Sequence, residues 1–192
     1  MLIDIICIII AYLLGSISSA IIICKLFGYP DPRTLGSGNA GATNVLRIAG
    51  KKLAIFTLIL DALKGFVAVM IARTLGLDNF ILGVVALAAF LGHLYPIFFK
   101  FKGGKGIATG LGVMLGLSPE LGGMVIVTWI LIAAIFRYSS LAAIVAFVLA
   151  PIYAFFLTNR QYVIALFIMM LFILWRHRTN IKRLLQKVEP KI

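Results

Sequence analysis

Apolar residues fill this chain in long runs rather than in alternation, and short stretches rich in Gly, Lys and Arg separate the runs. Seven runs, near 4–24, 53–75, 79–99, 106–118, 121–136, 139–157 and 161–175, predict helices. Several approach the roughly 20 residues that a helix needs to cross a bilayer. A membrane barrel would show alternating segments of about ten residues instead. The pattern predicts an all-α, polytopic integral membrane protein of about seven transmembrane helices, with residues 1–192 as one transmembrane domain. The fourth run is the exception. About 12 apolar residues reach only ~18 Å, so it either crosses a thinned region or forms a half-helix entered from a re-entrant loop. Its glycines, Gly106, Gly110, Gly112 and Gly116, predict close approach to neighbouring helices.

The first run lacks a basic start and is too long for a signal core, so it reads as a retained span. Cys7 and Cys24 lie too far apart along that helix to bridge, and they read as packing residues. Beyond the seventh run, Ile181, Leu184, Leu185 and Val188 fall at i, i+3, i+4 and i+7, the stripe of a helix lying in the membrane interface.

Charge adds a direction. The chain is 62% hydrophobic with a net charge of +12. With seven crossings, every Lys and Arg except Lys64, Arg73 and Arg160 falls on one side, and Asp4, Asp78 and Glu120 fall on the other. The positive-inside rule then places the N-terminus outside, and the C-terminus and the basic connections in the cytoplasm. A basic balance sorted by membrane side points to the lipid bilayer and anionic substrates, and not to nucleic acid.

Candidate chemistry concentrates in those basic connections. The stretch Gly36–Arg47 places Ser37, Gly38, Asn39, Gly41, Thr43, Asn44 and Arg47 together with almost no acid nearby. Glycines let backbone N–H groups converge on an anion, hydroxyls add donors, and arginine grips two phosphate oxygens. An ordinary polar connection would share the Gly and Asn, though rarely so many donors. A second cradle, Gly103-Gly104-Lys105-Gly106, precedes the fourth run, after Pro96 has bent or ended the third. Ser139 is expected to cap the sixth run or to touch substrate. His177 and Asn180, three apart, can share a helix face. Asp61 and Lys64 share a face inside the second span, where a mutually neutralised pair tying the Gly36–Arg47 stretch to the bundle is preferred to direct catalysis. His93, at a helix end among aromatic residues, reads as a packing residue or a support to the site, and not as a base. Six carboxylates, at least three of them on the far side, do not make a metal site, so neither metal nor cofactor is expected.

Taken together, these segments carry a resemblance. Ser37-Gly38-Asn39-Ala40-Gly41-Ala42-Thr43-Asn44 with Arg47 resembles the first signature of the bacterial acyl-phosphate:glycerol-3-phosphate acyltransferase family (PlsY). Phe101-Lys102-Gly103-Gly104-Lys105-Gly106 with Thr109 resembles its second, and His177 with Asn180 its third; Asp61, Lys64 and Gly65 match a further Asp-x-x-Lys-Gly element. Ala40 stands where proline is usual, and Gln186-Lys187 where a glycine is common before the last Glu. The resemblance implies transfer of a fatty acyl group from acyl phosphate to the first hydroxyl of glycerol 3-phosphate. The products would be lysophosphatidate and phosphate, with no covalent intermediate and with a monomer as the acting unit. The first cradle would hold the acyl phosphate. Lys105, with Arg47 and Ser139, would hold the glycerol 3-phosphate, and His177 and Asn180 would orient its hydroxyl. The proton acceptor stays open between His177 and a substrate phosphate. A carrier for a phosphorylated metabolite would also use two cradles, but it needs its site near the membrane midplane.

Overall fold

The computed structural model describes residues 1–191, and among them every regular element is helical. In chain order the helices are α1 (Leu2–Gly15), α2 (Ser19–Leu26), α3 (Ala42–Thr74), α4 (Asn79–Leu94), α5 (Ile107–Leu117), α6 (Pro119–Phe136), α7 (Ser139–Leu157), α8 (Tyr162–Arg176) and α9 (Arg178–Leu185). Four segments are long and apolar enough to cross a membrane alone, and two bent pairs, α1 with α2 and α8 with α9, raise the number to six. The expected all-helical membrane fold is present. Helix α5, at 11 residues, is about 16 Å long and falls well short of a ~30 Å hydrocarbon core.

The surface confirms the solvent. Ile5, Ile9, Phe56, Ile59, Phe156 and Ile164 stand exposed, whereas Asp61, Lys64, His93, His177 and Asn180 are buried. Large apolar side chains outward and charges inward is the arrangement lipid demands.

Two interruptions depart from the predicted runs. The first run is broken near Ser16–Ser18 and bent by 42°. The carbonyl of Ile17, released at the break, accepts a 2.6 Å hydrogen bond from Lys64 Nζ, whose other partner is Asp61 Oδ1 at 2.8 Å. The Asp61–Lys64 pair therefore holds the broken first segment, not the Gly36–Arg47 stretch as its spacing suggested. A backbone group freed inside lipid must find a partner, and Lys64 supplies it. The second interruption is Gly50, with φ 82° and ψ 178°, which kinks α3. It separates residues 42–49 from the spanning part, so Thr43, Asn44 and Arg47 lie on a short helix rather than in a loop.

The centre of the bundle is the contact of α3 with α5, where backbone meets backbone: a Cβ at Gly112 would lie 1.9 Å from Ala62 O. Gly110 and Gly116 likewise face Phe147 and Val69, as the small-residue pattern predicts. Gly106 shares this role, since a Cβ there would lie 2.3 Å from the Phe90 ring of α4, and it is also the left-handed residue that caps α5.

Candidate active site

The start of α3, the α4–α5 connection, the start of α7 and the α8–α9 junction converge at one end of the bundle. Each glycine stretch has an internal clasp. In the first, Asn44 is 1% exposed. Its Oδ1 accepts from Ser37 N–H at 2.8 Å, and its Nδ2 donates to Pro32 O and Leu35 O at 2.7 and 3.0 Å. The predicted ligand donor Asn44 is thus fully engaged in shaping the loop. Asn44→Ala would leave two carbonyls and an amide without their partner, at about 1–3 kcal/mol. The expected result is a lower Tm in detergent.

The amides of Ser37, Gly38 and Gly41 are also occupied, donating to Asn44 Oδ1, Leu35 O and Asn39 O. Those of Asn39, Ala40, Ala42 and Thr43 have no acceptor among the described residues. The last two open the short helix and carry its dipole. An anion would therefore find these four N–H groups, together with the exposed hydroxyls of Ser37 and Thr43, one turn from Arg47.

In the second stretch, Gly103 N–H and Gly104 N–H donate to Leu94 O and His93 O at 3.2 Å each, and Arg176 Nη2 donates to both glycine carbonyls at 2.9 and 2.8 Å. These glycines therefore build the loop. What they leave for a ligand is the Lys105 ammonium and the first turn of α5 beyond Gly106. Lys100 and Phe101, at φ 57° and 58°, strain the turn that delivers the loop.

The two stretches touch. A Cβ at Gly104 would lie 2.6 Å from Ala40 O. Arg33 adds a second tie, donating to Phe99 O at 2.9 Å while pairing with Asp31 at 2.6 Å. Lys105 Nζ donates to Asn180 Oδ1. Asn180 Nδ2 donates to Glu189 Oε1 at 2.6 Å, as does Ser140 Oγ at 2.6 Å, and Arg183 Nε meets Glu189 Oε2 at 2.6 Å. Burial lowers the Lys105 pKa to about 8 despite the opposing pull of Glu189, and Arg183, Arg176 and Arg47 add to the lowering. Lys105 thus feels three arginines and one carboxylate.

His177 is 2% exposed at the α8–α9 break, with Nδ1 2.9 Å from Ile173 O. A carbonyl only accepts, so Nδ1 carries the hydrogen and Nε2 keeps a lone pair. Burial first, and Lys105 second, lower the His177 pKa to about 4, so the ring is neutral near pH 7. Ser139 neither caps nor joins the network: Tyr138 is the N-cap of α7, and the adjacent Ser140 makes the bond to Glu189. Arg176, Arg183, Ser140 and Glu189 escaped the sequence reading. The signal was Glu189 itself, the lone acid in a tail of Lys and Arg. Two recesses lie elsewhere, one of about 380 Å³ at the other end of the bundle near Arg73 and Tyr162, and an apolar one of about 370 Å³ between α2 and α3.

A sequence model of the family described as glycerol-3-phosphate acyltransferase matches residues 5–187. The chain belongs to this family. Glycerol-3-phosphate acyltransferases of Thioalkalivibrio sulfidiphilus, Coxiella burnetii and Vibrio cholerae are 55%, 52% and 52% identical to it over 183, 188 and 185 residues. These alignments cover 95%, 98% and 96% of this chain and 90%, 97% and 88% of theirs. The fold matches the crystal structure of PlsY, an integral membrane glycerol 3-phosphate acyltransferase, in its glycerol 3-phosphate form, with a TM-score of 0.93 and 42% identity. The lysophosphatidic acid form gives 0.91 and 41%; each match covers 98% of this chain and 95% of the other. The acyltransferase thus carries its polar network among the same ordered segments that suggested the family.

Proposed function

We propose that this acyltransferase moves a fatty acyl group from acyl phosphate to the sn-1 hydroxyl of glycerol 3-phosphate, releasing lysophosphatidic acid and phosphate by direct attack. The carrying observation is the meeting of the two glycine stretches at Ala40 and Gly104, which would seat two phosphates side by side. An acyl phosphate is a mixed anhydride with a good leaving group, so a covalent enzyme intermediate is not needed. Lipid already solvates the acyl chain, so recognition falls to the phosphates.

In this reading the amides of Asn39, Ala40, Ala42 and Thr43, with the Ser37 hydroxyl, hold the donor phosphate and stabilise charge developing on it. Lys105 and Arg47 hold the glycerol 3-phosphate, with Ser139 in the first turn of α7 as a further contact at the rim. Asn180 and His177 orient the attacking hydroxyl. As a proton acceptor, His177 at about 4 is weaker than a phosphate monoester, whose second pKa is about 6. The substrate phosphate therefore takes the proton. His177→Gln is expected to lower kcat by less than about tenfold, where loss of a true general base costs 10²–10⁴-fold. A fall beyond a hundredfold would make His177 the base.

The donor is tested with purified enzyme, glycerol 3-phosphate and either acyl phosphate or an acyl thioester. Release of phosphate without thiol is expected, and thiol release would overturn the donor assignment. The site is read on the cytoplasmic face, with the N-terminus outside. Cysteines placed at Lys51 and Asp78 should label from the inside and the outside respectively.

A further inference from the structure

An aspartate, a lysine and a histidine lie together inside the bundle and have no part in the reaction above: Asp61 and Lys64 of α3 and His93 of α4, at 2%, 8% and 6% exposure. Lys64 Nζ bridges Asp61 Oδ1 and the Ile17 carbonyl, and His93 Nδ1 stands 3.7 Å from the same Asp61 oxygen. Charges in lipid are costly and are kept where they act. Neutralising Lys64 accounts for Asp61, but it does not account for the imidazole beyond it.

The other edge of that imidazole faces the second glycine stretch. A Cβ at Gly104 would lie 2.3 Å from His93 Nε2 and 3.0 Å from Cε1, while the Gly104 amide donates to the His93 carbonyl. One residue therefore holds Gly104 twice, by its backbone and by the Nε2–Cε1 edge of its ring. The next residue is Lys105, whose ammonium reaches Asn180. Counting outward, an unbroken line of contacts runs from Ile17 through Lys64, Asp61 and His93 to Gly104, with Ala40 of the first stretch pressed on the far side of that glycine.

We propose that His93 is a positioning residue for glycerol 3-phosphate: steadied by Asp61 and Lys64, its ring fixes the height of Gly104 and hence the reach of Lys105 towards the acceptor phosphate. The inference rests on the assignment of Lys105 to that phosphate. A lysine displaced by an ångström at the end of a shifted loop meets the phosphate poorly, and such errors reach a hundredfold in rate.

The test is steady-state kinetics of the purified enzyme with each substrate varied in turn. His93→Ala, which leaves the Asp61–Lys64 pair intact, is expected to raise KM for glycerol 3-phosphate about tenfold, with KM for the acyl donor within twofold and kcat within about threefold. His93→Gln, which restores a polar group of similar reach, recovers much of the loss. Gly104→Ala is impaired by itself, and adding His93→Ala relieves it in part, because the truncated side chain makes room for the new methyl. Should His93→Ala fail to accumulate, the Gln variant and the Gly104→Ala single variant carry the same KM comparison. A fall in kcat with both KM values unchanged, or an equal rise in both, would reduce His93 to a packing residue and end the proposal. Lys105→Ala separates the layers. If it leaves KM for glycerol 3-phosphate unchanged, the underlying assignment fails; if it raises that KM while His93→Ala does not, only this inference fails.

Discussion

Replacing Lys105 by alanine lowers kcat/KM for glycerol 3-phosphate by about two to three orders of magnitude, mostly through KM. Lys105 is largely withdrawn from water and its ammonium already points at Asn180, so a phosphate would gain one or two charge-assisted hydrogen bonds there at about 1.5–3 kcal/mol each. Arginine is not expected to rescue it, because a planar fork does not fit where a compact ammonium meets the Asn180 amide. Its titration gives a second readout. Burial holds the Lys105 pKa at about 8 instead of 10.5. The group binds an anion only while protonated, so the effect is full below that value and fades above it. The kcat/KM profile for glycerol 3-phosphate should therefore fall as pH rises through about 8, on a limb that Lys105→Ala removes. A limb that persisted in the alanine variant would belong to another group.

Glu189→Ala is the second large effect, and it strikes stability and activity together. The carboxylate accepts from Ser140, Asn180 and Arg183, and its charge offsets that of Arg183, Arg176 and Arg47 at Lys105. Without it, Asn180 loses the bond that turns its Oδ1 to Lys105, and the four cations repel one another. Removing one partner from such a network costs about 2–4 kcal/mol, seen as a lower Tm and as a loss of kcat/KM above a hundredfold. A variant with unchanged Tm and activity would mean that the tail merely rests on the site. Acid should mimic the substitution. Burial by itself would raise the Glu189 pKa, but the bonds from Ser140, Arg183 and Asn180 outweigh it and leave it below the ordinary 4.5. The stabilisation is therefore complete above that ordinary value and is lost as pH falls through the lowered one.

Helix positions, the glycine stretches and the His177–Asn180 pair were legible because each depends on local pattern: apolar run length, backbone freedom and helical spacing. Three features were not legible, and each depends on contact across the chain. Asn44 has the composition of a ligand donor, but its partners Pro32, Leu35 and Ser37 are visible only once the loop closes on it. The Ile17 break sits in the small polar patch Gly15-Ser16-Ile17-Ser18-Ser19, but the partner of the carbonyl it frees, Lys64, lies 47 residues away. Glu189 belongs to a tail that turns back at Lys187, whose positive φ of 59° occupies a position more often given to glycine. Pattern locates elements, but it does not say which donor is already taken.

The crossing of Gly104 over Ala40 has no side chain between the strands. In the reading proposed here, that thinness would make the two reactants electrostatic rivals as well as neighbours. Two phosphates held a few ångströms apart would repel, and only the ring of Arg and Lys would make their coexistence tolerable. Once the acyl group has moved, both products remain anionic and no bond is left to make between them. The same repulsion would then hasten their departure, so that the geometry promoting encounter would also clear the enzyme for its next turnover.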